Sequence, residues 1–306
     1  MSVTTQLNAK CLVTPGRRVR LRDLDPADTL GLDFAVTAGT TLKKRAHRLL
    51  EDSRDVLERA QTLLWASNAC SVLVILQGMD TAGKDGMVKH VMGGMNPSAC
   101  EVHAFKVPSA EERSHNFLWR YWQHLPARGR IGIFNRSYYE SVLVERVHAH
   151  QLIEPNLQAK RRGTAFWADR FEDINSFERH LTRNGTLVLK FFLHISKAEQ
   201  RRRLLERLDD KSKHWKFSLA DLKERGFWND YAAAYESMLN STSSEWAPWY
   251  AIPADHKYVA RAAVASILAS RIEALGLGFP EVDATGERRL KSARRALLAQ
   301  PTAPRR

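Results

Sequence analysis

The residues best placed to do chemistry lie between Gly78 and Gly86. Gly78, Gly83 and Lys84 give the spacing Gly-x-x-x-x-Gly-Lys, which is typical of a phosphate-binding loop. Glycines let backbone N–H groups turn inward around an anion, and a lysine at this position can reach the terminal phosphates. The spacing therefore indicates a phosphate site, although a tight strand-to-helix turn would need the same glycines for backbone reasons alone. We call residues 78–86 the phosphate loop.

One position departs from the usual loop and bears on the metal. Asp85 stands where Ser or Thr would normally bind Mg²⁺. Asp80, inside the loop, offers a carboxylate, and carboxylate oxygens are ligands that suit Mg²⁺. We therefore expect Asp80 to bind the metal or to orient the phosphoryl acceptor. The other residues expected to line the phosphate site are Gly78, Met79, Thr81, Ala82, Gly83, Asp85 and Gly86.

A second group of polar residues follows the predicted strand at 131–134. Arg136 is placed to clamp a second phosphate bidentately, with an anchor for a neighbouring loop as the alternative. Glu140 lies one helical turn further on, where its carboxylate could hold a metal or satisfy a helix N-terminus. Phosphoryl transfer mainly needs positioning, a metal ion and positive charge around the moving group. The candidate catalytic residues are therefore Asp80, Lys84, Arg136 and Glu140.

A run of basic residues follows the fourth predicted strand. Arg201, Arg203 and Arg207 lie on a predicted helix, and Lys213 and Lys216 lie in the charged break after it. Because successive helical residues are 100° apart, the run cannot all face one way, but Arg203 and Arg207 share a face. We expect these five cations to form a lid over the phosphate loop and to bind a polyanion. A solvated helix face is the alternative.

Strands alternating with helices must position these groups. The apolar run Val72–Leu76 predicts a central parallel strand. The pattern predicts an α/β fold, with helices flanking a largely parallel, doubly wound sheet of about five strands. The carboxyl ends of such strands meet at one edge, so the phosphate loop and Arg136 should lie close together. The other predicted strands are 101–107, 131–134, 187–195 and 248–253.

The helices and the domain limits complete this interpretation. Leucines seven residues apart in the predicted helix 42–67 indicate a core-facing stripe. We expect an N-terminal arm at 1–40, a main domain at 41–280 with its lid at about 197–225, and a basic, flexible tail at 281–306. A basic connection without regular structure is expected at 154–170. The other predicted helices are 109–122, 171–184, 219–239 and 258–275.

Composition limits the class of protein. The 306 residues include 47 Lys and Arg against 34 Asp and Glu, a net charge of +13, which favours a polyanionic partner or substrate, with a solvated basic surface as the alternative. No apolar run is long enough for a signal peptide or a membrane span, so no membrane role is expected. The three cysteines lack metal-ligand spacing, which favours a cytoplasmic location.

Eight segments together resemble the type 2 polyphosphate kinases, which are polyphosphate:nucleotide phosphotransferases. They include Gly-Met-Asp-Thr-Ala-Gly-Lys-Asp-Gly at 78–86 and Phe-Asn-Arg-Ser-Tyr-Tyr-Glu at 134–140. The segments occur in the family's order and cover roughly residues 10–280. The other six are 105–112, 117–120, 142–148, 190–197, 215–218 and 247–250.

The resemblance implies a three-layer P-loop kinase fold with a helical lid over a polyphosphate channel. It also implies Mg²⁺ as cofactor, inorganic polyphosphate and purine nucleotides as substrates, and a homo-oligomer, either a dimer or a tetramer. Asn135 and Arg136 would hold the Walker B position, and Lys106, in a matched segment, is expected to contact phosphate or nucleotide. Two departures are Asn135, which cannot offer a carboxylate, and Ser141, which stands where an acidic residue is expected.

The segment 135–144 resembles the subclass that phosphorylates both mono- and diphosphates. We therefore expect conversion of AMP to ADP and of ADP to ATP, with GMP and GDP as further acceptors. The alternative enzyme is an ATP-dependent nucleotide kinase of the thymidylate kinase type. A basic nucleic-acid-binding ATPase is a third hypothesis, but the chain carries no recognised reading motif, so no specific nucleic acid is expected.

Overall fold

A five-stranded sheet, parallel throughout, forms the middle layer of the fold. The computed structural model describes residues 3–33, 41–148 and 163–300. The strand order is β2-β3-β1-β4-β5, which places β1 at the centre with all eight of its residues buried. The predicted parallel sheet is thus confirmed. The strands are β1 (Ser71–Gly78), β2 (Cys100–Ala104), β3 (Ile131–Asn135), β4 (Thr186–His194) and β5 (Trp249–Pro253).

Helices cover both faces of the sheet and make the predicted three layers. One face packs against α1, α2, α3 and α11, and the other against α7 and α10. In the described part of the chain, no helix is both long and apolar enough to cross a bilayer. The helices are α1 (Val3–Cys11), α2 (Leu42–Ser67), α3 (Lys84–Val91), α4 (Ala110–Ser114), α5 (Trp119–Trp122), α6 (Val144–Val147), α7 (Thr164–Arg183), α8 (Lys197–Asp209), α9 (Leu219–Gly226), α10 (Trp228–Thr242), α11 (Lys257–Glu273) and α12 (Ala284–Leu298).

Helix α2 has the predicted bounds because both of its ends are capped. The Thr41 side chain accepts a hydrogen bond from the Lys44 amide, and Asn68 ends the helix in the left-handed conformation, with a φ of 49°. Leu50, Leu57 and Leu64 are buried. The core-facing stripe is therefore confirmed.

One strand and two predicted helices differ from the sequence-based expectation. The predicted helix 219–239 is divided at Phe227 into α9 and α10. Strand β2 ends at Ala104, three residues early, because its partner β3 ends opposite it at Asn135. The predicted helix 109–122 is split into α4 and α5. Its capping box at Ser109 and Glu112 forms as predicted, but the first helix stops at Ser114. A capping box specifies where a helix begins and leaves its length open.

Two stretches expected to be irregular are helical. Helix α7 begins at Thr164, so the predicted connection at 154–170 is wrong from that residue on, while 154–162 lie outside the described residues. Arg170 is buried there over the ring of Phe117, at 4.1 Å. The tail forms α12, which Asp283 caps and in which no residue is buried. Good helix formers such as Ala, Leu and Arg explain this helix. The domain limits themselves stay a prediction.

The N-terminal arm packs against the sheet through short elements. Leu7 and Cys11 are buried in the core. The Val13 amide donates to the Trp249 carbonyl at 2.9 Å, so the arm covers the edge strand β5.

A buried polar network supports the turn that follows β3. Glu178 on α7 and Lys190 on β4 have fully buried side chains and form an ion pair of 2.6 Å. The hydroxyls of Tyr138 and Tyr139 both donate to Glu178 at 2.8 Å, and Lys190 also donates to the Thr242 carbonyl at 2.6 Å. The short 3₁₀ helix Tyr138–Val142 is thereby fixed to the second layer of helices.

We expect Lys190→Met to lower the free energy of unfolding by about 3–5 kcal/mol, because Glu178 would stay buried without its countercharge. Urea denaturation would measure the change. Lys291→Met is the matched control. It removes a pair with Glu287 whose side chains are 72% and 60% exposed, so it should cost less than about 1 kcal/mol. A Lys190→Met protein as stable as the control would contradict the assigned role of the network.

Candidate active site

The phosphate loop leaves the sheet where no side chain would fit. A Cβ added to Gly78 would lie 2.8 Å from the Leu193 carbonyl oxygen of β4. Gly83 has a φ of 111° at the N-terminus of α3, a conformation that favours glycine. The loop closes through a hydrogen bond of 3.1 Å from the Ala82 amide to the Met79 carbonyl. Both glycines of the motif are therefore required by the backbone, and the loop places its N–H groups at a helix N-terminus.

Lys84 lies inside this loop, with its residue only 8% exposed. Its Nζ donates to the Gly78 carbonyl at 2.6 Å and to the Met79 carbonyl at 3.2 Å. Burial, and after it the positive charge of Arg136, lowers the pKa of the Lys84 ammonium to about 8. The lysine is thus held at the loop, and it loses its positive charge as the pH rises through about 8.

Arg136 joins the loop to the turn after β3. Its amide donates to the Leu76 carbonyl at 3.1 Å, and its backbone has a φ of 66°. The guanidinium donates to Asp80 at 2.8 Å and to Glu140 at 3.3 Å. Glu140 is the main cause of a raised Arg136 pKa. The structure therefore brings together the four candidate catalytic residues, because Lys84 contacts the carbonyl of Met79, the residue before Asp80.

Asn135 and Asp85 contact each other rather than acting separately. The Asn135 side-chain amide donates to Asp85 Oδ1 at 2.8 Å. The Asp85 side chain is 72% exposed, and its other oxygen lies 3.9 Å from Nζ of Lys216 in the lid. Asn135 thus orients the aspartate that stands where Ser or Thr is usual.

The carboxylates of this site suit a metal that the substrate helps to hold. Among the described residues, no group of three or more His, Cys, Asp or Glu side chains is placed to hold a metal ion by itself. Asp80 and Glu140 are nevertheless close, since one guanidinium binds both. Mg²⁺ usually binds through one or two carboxylates together with phosphates and waters, so this donor set fits it. The Thr81 hydroxyl, buried with no hydrogen-bond partner among the described residues, adds another oxygen at the loop.

Arg203 does not occupy the position that the sequence suggested. The prediction placed it with Arg207 on the polyanion-binding face of the lid, but it is 4% exposed and points into the protein. Its guanidinium donates to the carbonyls of Thr81 and Ala82 at 3.0 and 3.1 Å. The interpretation of Arg203 as an exposed lid cation is therefore wrong. Helical spacing shows which residues share a face, and burial decides where that face points.

The other four predicted lid cations lie further out. Arg207 bonds within the lid, to the Lys216 carbonyl at 3.3 Å and to Asp221 at 3.5 Å. Lys213 is exposed and pairs with Asp210 at 2.7 Å. Lys216 and Arg201 are also exposed. These residues lie on α8 and on the 3₁₀ helix Lys211–Lys216.

Two cavities meet at Arg136 and Glu140. The smaller, of about 40 Å³, lies between the phosphate loop and the lid residues Gln200 and Arg225. The larger, of about 760 Å³, extends toward β2, with Lys106 on its wall. The remaining residues of this larger wall are Phe105, Val107, Pro108, Arg113, Phe117, Arg120, Tyr121, Ser141, Val144 and Glu145.

Sequence reasoning missed several of these residues. Arg120 is buried, lies 5.3 Å from the centre of the Phe105 ring and donates to the Lys106 carbonyl at 3.0 Å. Gln200 donates to the Asp80 carbonyl at 3.0 Å. Its spacing of three residues from Arg203 was a usable signal, since helical residues three apart are neighbours.

Comparison with known proteins identifies the family. The model of the family described as Polyphosphate kinase 2 (PPK2) matches residues 41–276. An ADP-polyphosphate phosphotransferase of Rhodopseudomonas palustris is 49% identical over 257 residues, which cover 84% of this chain and 89% of the relative. An AMP/ADP-polyphosphate phosphotransferase of Meiothermus ruber is 41% identical over 283 residues, which cover 91% and 98% of the two chains.

A solved structure agrees with this assignment. The crystal structure of polyphosphate kinase 2 from Arthrobacter aurescens TC1 matches with a TM-score of 0.81 and 40% identity. The match covers 94% of this chain and 96% of that one. With the phosphate loop, the parallel sheet and the family match all in agreement, the chain belongs to the Polyphosphate kinase 2 family.

Proposed function

We propose that this enzyme transfers a phosphoryl group directly between inorganic polyphosphate and a purine nucleotide. The observation that carries the proposal is the meeting of Lys84, Arg136, Asp80 and Glu140 at the phosphate loop of a chain that belongs to this family. The relatives named above are phosphotransferases that use polyphosphate with ADP or with AMP and ADP. The family assignment also disfavours an ATP-dependent kinase of the thymidylate type.

The phosphate loop is assigned to the terminal phosphates of one of the two substrates. Its N–H groups and Lys84 would hold the terminal phosphates, and Arg136 would stabilise the negative charge on the phosphoryl group in transit. Asp80 and Glu140 would hold Mg²⁺, which supplies further positive charge at the phosphates when it is bound. No covalent enzyme intermediate is needed, because transfer between two aligned phosphates requires mainly positioning.

The larger cavity is assigned to the nucleotide. Phe105 and Tyr121 offer aromatic surface for a base, and Lys106 offers a cation for its phosphates. Glu140 lies on the wall shared with the smaller cavity. A cavity of about 760 Å³ has room for a nucleotide. We infer that it accepts AMP and ADP, and GMP and GDP as further acceptors, with the nucleoside in two positions that differ by one phosphate.

Two properties of the whole enzyme belong to the same proposal. We infer a cytoplasmic location, which is consistent with the three free cysteines, Cys11, Cys70 and Cys100. We also infer a homo-oligomer, a dimer or a tetramer, from the family resemblance.

An assay with polyphosphate as the only donor tests the function. We expect the wild type to convert AMP to ADP and ADP to ATP, measured as two initial rates, and to show no comparable transfer from ATP in its place. Lys84→Ala should lower kcat by about 100-fold or more, because charge on the moving group loses its partner. Transfer from ATP alone would contradict the proposal, and a Lys84→Ala protein with a tenth of wild-type kcat would remove the lysine from it.

The pKa of Lys84 gives a pH dependence with a definite sign. The ammonium is charged below about pH 8 and loses its proton above it. We therefore expect kcat/KM for polyphosphate to be level below pH 8 and to fall about tenfold per pH unit above it, since this parameter reports the free enzyme. Rates from pH 7 to 9.5 at constant ionic strength would measure it. A level profile across that range would show that Lys84 stays charged.

The metal assignment is tested by substitution of Asp80. We expect Asp80→Asn to raise the Mg²⁺ concentration for half-maximal rate by about tenfold or more, because a carboxylate ligand becomes a neutral amide. Glu140→Asn should also change the ratio of the AMP and ADP rates, since Glu140 lies on both cavity walls. An unchanged Mg²⁺ requirement in Asp80→Asn would assign Asp80 to orientation of the acceptor instead.

A further inference from the structure

Two side chains of α8 hold the outward-facing carbonyl groups of the phosphate loop. Gln200 donates to the Asp80 carbonyl at 3.0 Å. Arg203 donates to the carbonyls of Thr81 and Ala82 at 3.0 and 3.1 Å. Both side chains belong to buried residues, 3% and 4% exposed. Three consecutive carbonyls of the loop are thus bound from one side by one helix.

Peptide geometry turns these contacts into control of the N–H groups. The described residues contain no cis peptide bond, and in a planar trans peptide the N–H of each residue points opposite to the preceding carbonyl. Gln200 therefore fixes the N–H of Thr81, and Arg203 fixes those of Ala82 and Gly83. The Ala82 N–H closes the loop onto Met79. In the described turns and loops, the N–H groups of Thr81 and Gly83 donate to no backbone carbonyl. They can therefore donate to a bound ligand.

The other side of the Arg203 guanidinium is bound just as firmly. It donates to the carbonyls of Ala254 and Asp255, after β5, at 2.5 and 3.1 Å. Its Nε donates to Glu199 at 2.7 Å. A planar fork with five donors suits this arrangement, and a lysine ammonium cannot reproduce it. The arginine therefore fixes the phosphate loop relative to the end of β5.

We propose that Gln200 and Arg203 are positioning residues, which hold the loop N–H groups in the orientation that binds phosphate. Arg203 acts through the geometry of its hydrogen bonds, not through direct attraction of polyphosphate. The start of the lid helix thus belongs to the phosphate site, and only the later part of the lid is left for direct contact with the polyanion. This inference rests on the proposed function for its kinetic test and on the fold alone for its spectroscopic test.

The kinetic test uses substitutions that separate geometry from charge. Arg203→Lys keeps the charge and loses the fork. Gln200→Leu leaves the charge unchanged and removes both the donor to the Asp80 carbonyl and the acceptor of a hydrogen bond from Arg225. We expect kcat/KM for polyphosphate, with ADP as acceptor, to fall by about tenfold or more in the first and by about three- to tenfold in the second, because the loop amides lose their orientation. Arg202→Lys is the matched control, since this neighbour has a side chain 54% exposed, and it should stay within about twofold of wild type.

The second readout needs no activity. In ¹⁵N-labelled protein without ligand, the amide resonances of Thr81 and Gly83 should shift in Gln200→Leu and Arg203→Lys but not in Arg202→Lys. Thermal unfolding shows whether each variant is folded. If Arg203→Lys is not folded, the amide shifts and kinetics of Gln200→Leu test the inference.

Wild-type kinetics and unshifted loop amides in Gln200→Leu, or wild-type kinetics in a folded Arg203→Lys, would overturn the inference. A wild type with no polyphosphate-dependent transfer would instead overturn the proposed function, and the amide shifts would still decide the positioning role.

Discussion

The parallel pairing of β1 with both β3 and β4 is the constraint on which the site depends. Leu76 of β1 lies opposite Asn135 of β3. Arg136, which follows β3, is therefore at the same edge of the sheet as the phosphate loop, which follows β1. On the other side, Gly78 lies opposite Leu193, so close that only glycine fits. Since all eight residues of β1 are buried, a register shift in either pair would expose or misplace apolar side chains. The hydrophobic pattern of the strand therefore sets the distance between the loop and Arg136.

The electrostatics of the site follow from that short distance. Lys84 and Arg136 contribute two positive charges, and Asp80 and Glu140 contribute two negative ones, so the four groups together are neutral when all are ionised. Arg136 thereby pairs with both partly buried carboxylates in the free protein, and the buried Lys84 is held by loop carbonyls. The neutrality of the group also means that these side chains alone offer a polyanion little net attraction. Loop N–H groups, a divalent cation and the basic lid are then the sources of attraction that remain.

Much of this arrangement could be predicted because its signals are local. The apolar run before Gly78, the glycine spacing and the apolar stripe of α2 are each properties of a single segment, and all appear in the structure as predicted. Arg203 could not be placed in this way. Its spacing from Arg207 is a local property, whereas its burial depends on carbonyls more than 50 positions away in sequence. The start of α7 at Thr164 was not predicted for the same reason, since Arg170 is buried there over the distant Phe117.

The lid then divides into two parts that respond differently to salt. Exposed cations such as Lys216 act through water over distances near the Debye length of about 8 Å at physiological ionic strength, so salt weakens their attraction for a polyanion. The contacts of Arg203 with carbonyls are buried and of hydrogen-bond length, where mobile ions do not enter. Salt should therefore reduce the capture of long polyphosphate much more than it disturbs the shape of the phosphate loop. The lid, from α8 to the 3₁₀ helix Lys211–Lys216, thus carries both an adjustable contribution to affinity and a fixed contribution to the geometry of the site.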